Sequence, residues 1–591
     1  MIRERLKQLR EKMALRGIDA YLVTSSDPHQ SEYLADYYKA RAFVSGFTDS
    51  QGTAVVTRDE AILWTDGRYF IQADFELQGT EFKLFRQGVP GVLTVAEFLK
   101  DRVRPGGKIG FDGNCVSYQL YRDLLEKMDD QILIGSLDFI KEIWKDRPAL
   151  PHGEAFAHQP EYTGSTVADR IRELRKRMGQ QGIDNYIISA LDDVAYLYCL
   201  RGRDIPCNPV IFAYALISRD QALLFCDMAK LTDEVKEHLA SNGVEIRPYD
   251  EVGDILSQIP GKSTLFFDPA SVSIALIDRA PSNVQLIKDR SIVGAMKAIK
   301  NETELRHQRN AYLKDGTALV RLFHWIETGT PTGVVTEVAV VDKALKLRSE
   351  QEHFIENSFE TIAAYGANAS MPHYAPSQNR QAVLKPKGLF LLDSGGQYLD
   401  GTTDITRTIQ LGELTDTEKL HYTLTLKSHI SLISAKFKVG TSGHYLDAFS
   451  RLPLWREGVD YNHGTGHGVG YLLFVHEGPH RIAVQPNAIP LEEGMVVSVE
   501  PGLYVPDSHG VRIENICVVK KDITNEFGSF LSFEILSVCP IDTRPLLVDR
   551  LDDHEIQWLN EYNQSCYDKL ADRLSGADLK YLEQATKSIS R

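Results

Sequence analysis

One pattern in this chain occurs twice, and it fixes much of the architecture. Leu9-Arg10-x-x-Met13-x-x-x-Gly17-Ile18-Asp19-x-Tyr21 returns as Leu174-Arg175-x-x-Met178-x-x-x-Gly182-Ile183-Asp184-x-Tyr186, each position displaced by 165 residues. Asp27 and Tyr33 keep the same offset to Asp192 and Tyr198, and Arg58-Asp59-x-Ala61-Ile62-Leu63 returns as Arg219-Asp220-x-Ala222-Leu223-Leu224. Two copies at so long a period mean a duplicated domain rather than a solenoid. Each copy reads as an amphipathic helix closed by glycine, then a strand, then further strands and helices. The Pro- and Gly-bearing stretch from Pro148 to Gly164 separates them. The copies diverge after their shared strand: the first runs Trp64-Thr-Asp-Gly-Arg68, the second Phe225-Cys-Asp-Met-Ala-Lys230. Arg68 therefore lies outside the common scaffold, and its ordinary reading is a surface arginine at a helix start.

The chain is 591 residues long, which is too much for one core and implies three or four domains. The 81 acidic side chains outnumber the 66 basic ones, leaving a formal charge of −15. That balance argues against nucleic acid or an anionic membrane as partner, because no basic excess is available to meet phosphates. The first residues, Met-Ile-Arg-Glu-Arg-Leu-Lys, lack the apolar core of a signal peptide, and the seven scattered cysteines show no CxxC pairing. A cytoplasmic protein with reduced thiols is expected.

A third unit begins near Lys297. Asn301, followed by acids in the next turn, reads as the cap of a long helix reaching to about Thr328, and strands and helices alternate from there to Val538. Within this unit, apolar runs repeatedly end on an acid. Leu389-Phe-Leu-Leu stops at Asp393, and a tight Gly-containing turn is expected to lead to Asp404 and a returning strand. Val496-Val-Ser-Val stops at Glu500 before Pro501. Gly510 to Val519 reads as one strand with Arg512 and Glu514 on one face. Buried charges of this kind need partners, and two carboxylates a few ångströms apart repel unless a proton or a cation lies between them. His463-Gly-Thr-Gly-His467-Gly-Val-Gly is too rich in glycine for a helix and supplies imidazoles on a loop or strand edge.

Four carboxylates (Asp393, Asp404, Glu500, Glu514) and one imidazole (His467) form an oxygen-rich set that suits Mn2+, Co2+, Fe2+ or Zn2+ rather than a closed structural zinc site. Four carboxylate charges balance two divalent ions, and two such ions sharing carboxylates and a water give hydroxide at neutral pH, which is hydrolytic machinery. His476-Glu477-Gly-Pro-His480 matches HExxH, but glycine and proline at its centre oppose the helix that signature requires. The tail from Asp552 is amphipathic helix, with Ile556, Leu559, Asn563, Cys566 and Leu570 on one face for core packing or a subunit contact.

The ligand set, in this order and with this spacing, resembles the methionine aminopeptidase, prolidase and aminopeptidase P superfamily. Asp393-Ser-Gly-Gly-Gln-Tyr-Leu-Asp-Gly-Thr-Thr-Asp404 and His463-Gly-Thr-Gly-His467-Gly-Val-Gly are similar to the three-domain aminopeptidase P (Xaa-Pro aminopeptidase) form, and the likeness spans essentially the whole chain. The resemblance implies an α/β (α+β) fold: two duplicated creatinase-like N-terminal α/β domains (1–155 and 156–296), a pita-bread catalytic domain (297–550) and a C-terminal helical extension (551–591). It implies that Asp393 holds one metal alone, Asp404 and Glu514 bridge both, and His467 and Glu500 complete the ligand set of the second metal. It further implies Glu500 as general base, and His373, His463 and His476 as substrate-binding and transition-state-stabilising groups. Tyr504 and Arg512 would line the same cleft, and Arg68 would contact substrate from the first domain. The expected cofactor is a pair of divalent ions, Mn2+ by family, with Co2+ or Zn2+ compatible. The expected substrates are peptides with proline second, and the expected assembly is a homodimer. A prolidase acting on dipeptides, a metal-free creatinase-type hydrolase, and a non-catalytic peptide- or histone-binding relative are the competing readings.

Overall fold

In the computed structural model, which describes residues 1–591, the chain divides into two compact units. Residues 1–159 and 165–294 make the first, and residues 160–164 with 295–591 the second.

The first unit contains the duplication in three dimensions. One six-stranded sheet runs in the order Phe82–Arg86, Ala61–Thr65, Thr53–Thr57, Ala20–Thr24, Lys108–Gly110, Ile132–Ile134. The other repeats it as Glu245–Pro248, Ala222–Cys226, Ala213–Ser218, Asn185–Ile188, Thr264–Phe267, Gln285–Lys288. The glycine that closes each repeat helix is needed for its backbone: Gly17 and Gly182 have φ of 63° and 67°, where a Cβ is strained. The two copies meet in a pseudo-two-fold manner. Tyr118 N donates to Val272 O (2.8 Å) and Ile274 N to Val116 O (2.9 Å). Gln119 N donates to Pro269 O (2.8 Å) and Ala275 N to Gly113 O (3.2 Å). Donor and acceptor in each bond are exchanged for their own counterparts 156 residues away, the arrangement of an isologous dimer contact formed within one chain.

The second unit is built on helix α1 (Glu302–Gly329), which starts at Asn301 with a full capping box to Glu304. Helix α2 (Glu337–Ser349) packs beside it. Strands β1 (Phe354–Asn357) and β2 (Ile362–Tyr365) precede the acid-bearing hairpin. That hairpin is β3 (Leu389–Ser394), β4 (Gly396–Tyr398), β5 (Gly401–Thr402) and β6 (Ile405–Gln410). β3 and β6 pair antiparallel, with Asp393 opposite Thr406, as expected. The connection, however, is no tight turn. β4 and β5 form a second small hairpin that joins β1 in a separate three-stranded sheet. Polar contacts to α1 pull it there: Gln308 takes the backbone of Thr402, Lys314 pairs with Asp400, and Tyr398 Oη donates to Asp315 (3.0 Å).

Further on come β7 (Gly466–Gly468), β8 (Glu477–Ile482), β9 (Val496–Val499), β10 (Gly502–Val505), β11 (His509–Arg512) and β12 (Asn515–Asn525). The stretch expected as one strand from Gly510 to Val519 is two, because the ladder breaks at Ile513 and Glu514. β11 pairs with β10, whereas β12 belongs to a six-stranded sheet with β9, β7 and β8. At the break the backbone turns to other partners: Ile513 N donates to Pro501 O (3.4 Å) and Glu514 N to Thr406 O (3.1 Å). His476 to His480 is strand and loop rather than helix, and Glu477 is held by Lys297 (3.5 Å) and Lys300.

The tail helices Asp553–Leu570 and Gly576–Ala585 complete the core of this unit. Leu559, Cys566 and Leu570 join Leu305, Tyr312 and Ile516, and Asn563 satisfies both the N–H and C=O of Ile541 (2.9 and 3.0 Å). No helix is long and apolar enough to cross a membrane.

Candidate metal centre

Every candidate residue of the second unit comes to one place. Asp393 ends β3, Asp404 precedes β6, His467 lies in β7, Glu500 follows β9, and Glu514 sits in the break between β11 and β12. Ligand atoms of Asp404, His467 and Glu514 all lie within 4.8 Å of one another. His467 Nε2 is 3.5 Å from Asp404 Oδ2 and 3.3 Å from Glu500 Oε1. Arg512 donates to Asp393 Oδ2 (2.5 Å), and its other arm donates to Tyr504 Oη (2.7 Å), which contacts His463 Nε2 at 2.9 Å. His476 packs edge-on against His467, with ring centroids 4.4 Å apart. Arg512 also donates to Pro372 O (3.2 Å), which fixes the segment bearing His373 beside Asp393.

The electrostatics are those of an acid cluster short of cations. Burial pushes the Asp393 carboxyl up to about 6 despite Arg512, with Asp404 adding to the rise. Burial, then Asp404, Glu500 and Asp393, drive Glu514 well above the carboxylate range. Burial raises Glu500 as well, against the pull of His467 and Arg512. His467 moves the other way: burial opposes its charge, but the bond to Asp404 and the charges of Glu500 and Asp404 lift it to about 9. Asp393 Oδ1 and Glu514 Oε1 are buried without any hydrogen-bond donor. Buried carboxylate oxygens left so are costly, and a divalent cation is the partner that oxygen-rich donors with one imidazole accept best. The donor set fits metal.

A stability prediction follows for the metal-free protein. Raised carboxyl pKa values mean the folded state holds protons the unfolded chain releases, so stability present at low pH is lost as pH rises through about 6 at Asp393. His467, raised to about 9, contributes stability present below its unfolded value and lost as pH passes 9. Both act in one direction. Melting of chelator-treated protein is expected to fall between pH 5 and about pH 8, and added Mn2+ to restore it most at the upper end. A flat profile would contradict this electrostatic picture.

Sequence reasoning missed the residues that hold these side chains. Thr406 Oγ1 donates to Glu514 Oε2 (2.9 Å) and accepts from Arg512 Nε (3.1 Å). Ser498 Oγ donates to Glu500 (3.1 Å) and accepts from His467 N (2.9 Å). Both lie two residues from a candidate ligand on the same strand face, a signal that period-two counting offers. Tyr312 Oη, on α1, accepts from Asp404 N (3.3 Å). Fully buried Arg407 holds Glu514 O (2.5 Å) and Tyr562 Oη (2.7 Å), tying the tail to the centre; an arginine inside an apolar strand was its one visible sign.

Comparison with known proteins agrees with this geometry. Residues 5–143 and 146–304 each match the Creatinase/Prolidase N-terminal domain, residues 306–521 match Metallopeptidase family M24, and 529–589 match the C-terminal region of peptidase M24. The fold and site thus define an M24 metallopeptidase with a pita-bread catalytic unit behind two creatinase-type domains. Aminopeptidase P2 of Arabidopsis thaliana is 41% identical over 600 residues, covering 95% of this chain and 84% of the relative. The crystal structure of X-prolyl aminopeptidase from Caenorhabditis elegans, described as a cytosolic enzyme with a di-nuclear active site, superposes with a TM-score of 0.95 at 35% identity, each chain covered fully. The chain belongs to the aminopeptidase P (Xaa-Pro aminopeptidase) family. An Xaa-Pro dipeptidase from Bacillus anthracis shares the fold over 64% of this chain and 99% of its own (24% identity, TM-score 0.51).

Proposed function

We propose that this chain is a metal-dependent aminopeptidase that releases the N-terminal residue from peptides with proline in second position. The observation that carries the reading is the convergence of Asp393, Asp404, His467, Glu500 and Glu514, with two buried carboxylate oxygens lacking donors. These five would hold two divalent ions, Mn2+ by preference, which when bound supply Lewis acidity to lower the pKa of water and polarise the scissile carbonyl. In this assignment Asp393 would hold one ion, Asp404 and Glu514 would serve both, and His467 and Glu500 would hold the other.

The chain's own groups do the rest. Glu500 takes a proton from the attacking water and delivers it to the proline nitrogen as the bond breaks. His373 and His476 are the donors to the oxyanion of the tetrahedral intermediate. Arg512, held between Asp393, Thr406 and Tyr504, keeps Asp393 ionised and braces His463 through Tyr504. An Xaa-Pro bond is a tertiary amide without N–H and with φ fixed, so general peptidases that grip that N–H do not serve it. Arg68, bidentate on Asp66 (2.9 and 2.8 Å), is proposed as a substrate contact on the family resemblance.

The test is release of free arginine from an Arg-Pro-Pro peptide, compared with Arg-Ala-Pro and with the dipeptide Arg-Pro. Cleavage of the first alone supports the reading, whereas preference for the dipeptide would make the chain a prolidase. A cytoplasmic homodimer is also proposed. The helix Gly443–Trp455 exposes Tyr445 (70%), Phe449, Leu452 and Trp455 at three- and four-residue spacing, an apolar stripe suited to a second copy. Sedimentation as a monomer at micromolar concentration would contradict it.

A further inference from the structure

Glu337 opens α2, fully buried, with no cation on it. Its carboxylate instead collects neutral donors from one excursion of the chain, the segment between β2 and β3 that carries Met371-Pro372-His373. Tyr365 N donates to Oε1 at 2.7 Å and Ala382 N to Oε2 at 2.7 Å, so the two ends of the excursion are pinned to one group. Between them, Asn368 Nδ2 reaches both oxygens at 3.0 Å, and Tyr374 Oη donates to Oε2 at 2.9 Å while accepting from Asn368 (3.1 Å). The flanks of His373 are thereby fixed on both sides, by Asn368 before it and Tyr374 directly after it. On its far side the same segment lies against β11: Arg512 holds Pro372 O, and a Cβ at Gly510 would collide with Ala369 O.

We infer that Glu337 is the positioning residue for His373: its buried carboxylate closes the 365–382 excursion into a fixed loop and presents the imidazole to the metal centre without touching substrate. The inference rests on the proposed role of His373. A carboxylate is the side chain for this post because every group facing it is a donor. Glutamine would turn an N–H2 toward donors already committed there, leaving at least one buried backbone N–H unpaired.

The test is a double-mutant cycle on kcat/KM for Arg-Pro-Pro at saturating metal, with metal content measured for each protein. E337Q is expected to lower kcat/KM about tenfold with metal content unchanged, and to cost less than about twofold when added to H373A. Y374F, which removes one donor and leaves the carboxylate, gives a milder loss that vanishes equally in the H373A background, and it serves where E337Q does not fold. An impaired H373A enzyme in which the second substitution costs its full factor overturns this inference alone. An H373A enzyme of full activity overturns the role of His373, and the inference with it.

Discussion

Glu500→Gln is expected to reduce kcat on an Arg-Pro-Pro peptide by about a thousandfold, the middle of the range for loss of a general base. The substitution is nearly isosteric. The amide oxygen still accepts the Ser498 hydroxyl, 3.1 Å away in the native protein, so the position of the side chain is kept. It forfeits the ability to take a proton from water, and the charge that faces His467 Nε2 at 3.3 Å. The second loss weakens metal binding, so the measurement has to be made across a metal titration. If saturation with Mn2+ restores more than about a tenth of the native kcat, Glu500 was contributing charge rather than proton transfer, and the base lies elsewhere.

Glu514→Gln is expected to act in opposite directions on two forms of the protein. Glu514 has one oxygen on Thr406 and the other buried with no donor, and it faces Asp404, Glu500 and Asp393. In metal-free protein at neutral pH that carboxyl is a liability: burial and the three facing acids disfavour its charge, so it persists only against that repulsion or by taking up a proton. Removing it should raise the melting temperature of the metal-free form by a few degrees, about what 1 to 2 kcal/mol does in a domain of this size. In the metal-saturated protein the same change removes one of the two proposed bridging ligands, so the stabilisation that metal confers should shrink and activity should fall by more than about a hundredfold. A variant that is less stable in both forms would mean Glu514 holds the fold and not the ions.

The parts of this molecule that were visible in its sequence are those where apolar patterning and chemistry agree. Asp393 and Glu500 stand out because each interrupts an apolar strand, and the duplicated front half because its register repeats. The β4–β5 excursion was invisible. Thr402 and Asp400 look like turn residues, yet they are buried, drawn in by Gln308 and Lys314 from a helix more than eighty residues earlier. The break at Glu514 was hidden for a related reason. Alternation of apolar residues continues smoothly from β11 into β12, while the change of partner depends on Pro501 and Thr406, which no local pattern encodes. Glu337 is the extreme case. An acid in the first turn of a helix is an ordinary sight, and only the fold reveals that its carboxylate gathers a loop rather than offsetting a dipole.

The most direct test of the account is to strip the protein of metal and add Mn2+ in measured equivalents, following ion uptake and release of arginine from Arg-Pro-Pro together. The account predicts uptake of two ions per chain, with turnover appearing as they bind. It also predicts no uptake by a D404A/E514A variant, which lacks both proposed bridges. Full turnover in the stripped protein, or unchanged metal binding in that variant, would contradict it.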